Sequence, residues 1–145
     1  MKKVTVVFLI IILFISIFFV SCKQDPNQTT ESKKFLSDLK QLESKFIDKT
    51  SLAKTTSGIA LSPMISDMQD ISREVSNLEI PKNADQLSTL RELSINGMNQ
   101  IIDGFQMSQS QGNENEIHKK INDGLGALKV VAIKISELEN SPTKK

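Results

Sequence analysis

The stretch NENEIHKKINDGLGALKVVAIKISELEN, residues 113–140, decides the fold. Its apolar residues Ile117, Ile121, Leu125, Leu128, Val131, Ala132, Ile135 and Leu138 recur at intervals of three and four. That spacing returns side chains to one face of an α-helix. Asn113 precedes the run and Glu116 follows three residues later, which together make a capping box. The spacing therefore predicts a helix from Asn113 to about Asn140, ended by Ser141-Pro142. An amphipathic helix of this kind is stable only when its apolar face is covered. The rest of the chain must supply matching faces.

It supplies three. Upstream, Leu87, Leu90, Met98, Ile101, Ile102 and Phe105 form one stripe, with Ser94 in the gap. Asn83 and Gln86 read as its capping box. Residues 107–112 read as a frayed end and a loop, with Gly112 as a left-handed stop. Before that, Ser62 reads as a cap with Pro63 at the first helical position, where no amide hydrogen is needed. Leu61, Met64, Met68, Ile71, Val75 and Leu78 make that face, and Ile80-Pro81 ends it. The first stripe is Phe35, Leu39, Leu42 and Phe46, widened by Leu36 and Ile47, with Thr30 as cap and Glu31 in the first turn. Its end is open: it stops near Lys49 or continues through Thr50 and Ala53 towards Gly58. No stretch alternates with period two for long enough to make a strand. The fold expected is all-α, a small antiparallel bundle of about four helices over residues 31–140.

Four of the six glycines fall inside these helices, and each costs about 0.8–1.0 kcal/mol against alanine. Gly97 and Gly104 flank the third stripe, and Gly124 lies within the fourth. Close helix packing explains them better than a shallow groove between helices three and four. Gly126 points away from the stripe.

The start of the chain has a different character. Lys2 and Lys3 are followed by an almost wholly apolar run, residues 4–20, broken only by Thr5 and Ser16. A positive start, an apolar run and a small residue before a cleavage point make a secretory signal peptide. The length alone also fits an anchor helix. The sequence Phe19-Val20-Ser21-Cys22 decides between them. It resembles the lipobox of bacterial lipoproteins, with Phe19 where leucine is usual. The resemblance covers only the leader. It implies cleavage after Ser21, a diacylglyceryl group on the Cys22 thiol, and a membrane anchor on the extracytoplasmic side, periplasmic or at the cell surface. Lys23, by the same likeness, carries no inner-membrane retention signal. Two acyl chains anchor stably where one binds marginally. The expected organisation is a signal peptide at 1–21, a lipidated N-terminus and polar tether at 22–30, the bundle, and a tail at 141–145.

Cys22 is the only cysteine, so the exported part has no disulfide framework or thiolate metal site. Removing Lys2 and Lys3 from the 18 basic residues leaves one fewer than the 17 acidic, and nucleic-acid binders show a basic face. Trp and Tyr are absent, and only Phe35, Phe46 and Phe105 remain beyond the leader. Stacking platforms for bases or sugars need more aromatics. No nucleic-acid partner is expected.

The search for chemistry finds little. His118, the only histidine, lies off the apolar face. Its spacing to Glu114 and Glu116 is not the Glu-x-x-His of di-iron bundles, and no second histidine exists. Asp67, Asp70 and Glu74 share one side of the second helix and read as a solvated face, with Arg73 and nearby lysines as countercharge. Met64 and Met68 read as core filler. No catalytic residues, cofactor or metal site is expected beyond the covalent lipid on Cys22. The function expected is a membrane-anchored, non-catalytic domain with a protein partner, structural in the envelope or of exclusion or immunity type. The alternative is a bundle that holds a small apolar molecule in a cavity lined by Leu, Ile and Met.

Overall fold

The structure, a computed structural model, describes residues 29–140. Four α-helices fill them: α1 (Thr30–Lys54), α2 (Leu61–Ser76), α3 (Asp85–Gln109) and α4 (Glu114–Asn140). A 3-10 turn, Gly58–Ala60, leads into α2. No strand occurs among the described residues, and the chain is a small all-α bundle as the stripes require. The leader, Cys22, most of the tether and the tail lie outside the described residues.

The helix ends differ from the sequence reading in instructive ways. The cap of α1 is Thr29 rather than Thr30. Its Oγ1 accepts from the Ser32 amide at 3.1 Å, which supplies one of the amides a helix start leaves unpaired. The open C-terminal end is settled by Thr50 and Ala53, which are buried and carry the stripe on to Lys54. The hydroxyls of Thr55 and Thr56 then both donate to the Leu52 carbonyl at 2.9 Å.

Ser62 is not the cap of α2. Gly58 adopts the left-handed region (φ 66°), and the turn after it winds straight into a helix that begins at Leu61. Pro63 is therefore the third helical residue, where the amide still lacks an intrahelical acceptor and proline is tolerated. The face is rotated accordingly: Ile65 is buried at 5% exposure, while Met64 is only partly covered. The helix stops at Ser76, short of Ile80.

Asn83 does not cap α3 either. It sits at φ 61°, a conformation asparagine tolerates better than most residues, so it lies outside the helix and Ala84 takes the cap position. At the other end α3 continues through Met107 to Gln109, so that stretch is helix and not loop. It closes with a Schellman turn: the Gly112 amide donates to the Met107 carbonyl at 2.8 Å and the Gln111 amide to the Ser108 carbonyl at 3.3 Å. The left-handed residue is Gln111 (φ 55°), not Gly112. Glycine at 112 eases a tight approach. A Cβ there would lie 3.1 Å from the Met107 carbonyl oxygen.

Asn113 caps α4 as its spacing implies, its Oδ1 accepting from the Asn115 and Glu116 amides at 3.0 and 3.2 Å. Ile121, Leu128, Val131 and Ile135 are buried, but Ala132 is exposed.

Successive helices run antiparallel. The late part of α1 meets the early part of α2 through Lys49 and Asp67 (2.5 Å), and Gln109 at the end of α3 reaches Ser62 at the start of α2 (2.7 Å). One apolar cluster runs through all four helices, from Phe35 to Ile135. Its closest approach is between α3 and α4, where the glycines face each other. A Cβ on Gly124 would lie 2.5 Å from the Gly97 carbonyl oxygen and 2.6 Å from Ile101 Cγ1. A Cβ on Gly104 would lie 2.7 Å from Ile121 Cγ1. The two backbones touch there, and no groove separates them. Gly126 has open space around it, and nothing in the structure explains its choice.

Candidate functional site

The core holds one acid that the stripe of apolar residues passes over. Glu43 lies seven residues after Leu36, four after Leu39 and three before Phe46, so the helical period puts it on the buried face of α1. It is 6% exposed. Its Oε1 accepts a hydrogen bond of 2.7 Å from the hydroxyl of Ser94, which is fully buried on α3. Burial pushes the Glu43 carboxyl up to about 7, and the bond from Ser94 pulls it partly back. Sequence reasoning found Ser94 as the filler of a gap in the α3 stripe but missed Glu43. The signal was available: an acid at a position that completes the three-and-four lattice of its neighbours. The pair can hold and release a proton. Both side chains are buried, Ser94 fully, so the pair is closed to solvent.

The residues singled out for chemistry stand apart from this pair and from each other. His118 is exposed near the start of α4, with Nε2 3.7 Å from Glu114 Oε1. It lines an open cleft of about 390 Å³ with Leu61, Phe105 and Ile121. Asp67 pairs with Lys49, Asp70 pairs with Arg73 at 3.1 Å, and Glu74 is exposed. Met68 is fully buried and accepts a weak contact of 3.7 Å from the Thr50 hydroxyl. Among the described residues no group of three or more His, Cys, Asp or Glu side chains is placed to hold a metal ion. Cys22, where the sequence leads one to expect lipid, lies outside the described residues.

Comparison with protein-family models, with curated proteins and with solved structures gives no match. The functional reading rests on the chain's own residues.

Two further clefts open on the surface. One, of about 660 Å³, lies where α1 begins, between Thr29, Lys34 and Phe35 and the α2–α3 connection at Leu78, Ile80 and Pro81. The other, of about 360 Å³, runs between α2 and α3 past Arg73, Asn99 and Asp103, where the Ser72 hydroxyl donates to Asn99 Oδ1 at 3.1 Å. Both are open troughs with mixed polar and apolar walls. Large apolar side chains also stand in solvent. Ile59 is 92% exposed in the turn between α1 and α2, with Leu52 close before it in α1. Val130 and Ile133, three residues apart, share an outer side of α4. No helix among the described residues is long and apolar enough to cross a membrane.

Proposed function

We propose that the protein is an exported lipoprotein, anchored through lipid on Cys22, whose helical domain binds another protein and catalyses no reaction. The observation that carries this reading is the sequence Phe19-Val20-Ser21-Cys22 directly after a positively started apolar run. The cap at Thr29 adds a physical limit. The chain from Cys22 to Thr29 spans at most ~25 Å when fully extended, at roughly 3.3–3.6 Å per residue. A domain so tethered works beside its membrane, on the extracytoplasmic side. The exposed Ile59, Val130 and Ile133 favour an interaction role, because apolar side chains left in water gain most from a partner that covers them. Envelope assembly and exclusion or immunity are the two settings that suit such a domain.

Mass spectrometry of the chain recovered from cell membranes tests the anchor. The expected mature chain begins at Cys22 and carries the added mass of acyl chains, while Cys22→Ala keeps Met1 and the leader. A wild-type chain that still begins at Met1 would overturn the reading. Crosslinking in intact cells then tests the partner, with capture of a single protein expected.

A further inference from the structure

We propose that Glu43 is a proton-operated latch that holds α1 against the α3–α4 pair while its carboxyl is neutral and lets α1 loosen when it ionises. Three observations carry this. Glu43 faces inward between apolar residues of its own helix, Leu39, Phe46 and Ile47, and its hydrogen-bond partner is the neutral hydroxyl of Ser94. The seam between α1 and α4 is incompletely covered. Ile47 of α1 and Leu125 of α4 are only partly buried, and Ala132 is exposed although it continues the apolar stripe of α4. A polar tie across that seam, Lys40 to Glu139 at 3.0 Å, is a surface ion pair, and such pairs hold little.

Among the described residues no cation pairs with the carboxylate. On α1, Lys40 pairs with Glu139 and Lys49 with Asp67 of α2. On α3, Arg91 is turned to the Leu78 carbonyl at 3.0 Å and to Glu92. On α4, Lys134 pairs with Glu137 at 2.7 Å, and Lys129 is exposed. On α2, Arg73 pairs with Asp70. An ionised carboxyl with one neutral donor is costly to keep buried. Loosening α1 along its open seam lets water reach it. The folded carboxyl titrates at about 7, so the change falls where a small acidification closes the latch. α1 is also the helix that continues into the tether, so its loosening frees the rest of the domain from the segment nearest Cys22.

Amide hydrogen exchange read by mass spectrometry tests this, on the full chain purified from membranes in detergent, at about pH 5.5 and about pH 8. After correction for the chemical exchange rate, peptides of α1 should lose roughly tenfold or more protection at the higher pH, while those of α3 and α4 keep theirs. Glu43→Gln should hold α1 equally protected at both. Ser94→Ala removes a bond that favours the ionised form, so its loosening should move to higher pH. Equal protection of wild-type α1 at both pH values would overturn the latch. So would a loss spread evenly over all four helices, or a loss that persists in Glu43→Gln.

Discussion

Glu43 shows what one residue does to a fold that is otherwise apolar inside. Its folded carboxyl titrates near 7 against an ordinary 4.5. The stability that goes with the neutral form is fully present below about pH 4.5 and is lost as pH rises through about 7. Unfolding free energy should therefore fall by about 2.5 kcal/mol between about pH 5 and about pH 8, at 1.36 kcal/mol per pKa unit. Urea denaturation followed by circular dichroism at the two pH values measures it. A flat or rising profile would mean that the carboxyl is hydrated in the folded chain. Gln111 is the second residue whose surroundings set a number. A side chain in the left-handed region costs roughly 1–2 kcal/mol, and glycine does not bear that cost. Gln111→Gly should therefore stabilise the bundle by about 1 kcal/mol, read as a higher urea midpoint with an unchanged slope. A lower midpoint would show that the Gln111 side chain makes up for its backbone. Glu43 was legible only as an acid on the helical lattice and was passed over, and Gln111 was not legible at all. An acid on an apolar stripe looks like an interruption, and a left-handed glutamine leaves no mark in a sequence where the next residue is glycine.

At the scale of elements, the α3–α4 contact turns on where a methyl group fits. Gly124→Ala would push a Cβ into the Gly97 carbonyl, a backbone atom that yields only if the helices separate. Overpacking of this kind costs roughly 1–3 kcal/mol. Gly126→Ala, two residues along the same helix, meets open space and should gain about 0.8–1.0 kcal/mol from helix propensity. Thermal melts of the two variants should thus shift in opposite directions, and a gain in Gly124→Ala would mean that the backbones are not in contact. The helices themselves could be read from the sequence, because each stripe keeps its period over many turns: Leu87 to Phe105 went to the core as expected, and so did Ile121, Leu128, Val131 and Ile135, while Leu125 is half-buried and Ala132 exposed. Their ends were harder. Ser62 and Asn83 carry the right side chains for caps, but cap position follows backbone dihedrals, and Gly58 and Asn83 turn the chain in ways that composition does not reveal. Asn113 could be read because its box directly abuts the stripe.

For the whole molecule, the leader and the bundle are separable pieces of physics. Among the described residues the apolar cluster draws on all four helices, with Phe35, Leu39 and Phe46 of α1 buried alongside Met98 and Ile101 of α3. The fold was legible from a repeated period and the proposed address from a local motif, whereas exposed apolar residues such as Ile59, or Val130 with Ile133, have no period to read. Residues 29–140 produced without the leader should accordingly fold alone to a helical domain with one cooperative transition. α1 shares the same core as α3 and α4, so it cannot leave for good without exposing Phe46 and the face it covers. Far-ultraviolet circular dichroism and hydrogen exchange across urea should report the same midpoint for α1 and for α3–α4 at about pH 5, where Glu43 is neutral. Two separate midpoints at that pH would mean that residues before Thr29 contribute to the folding of α1.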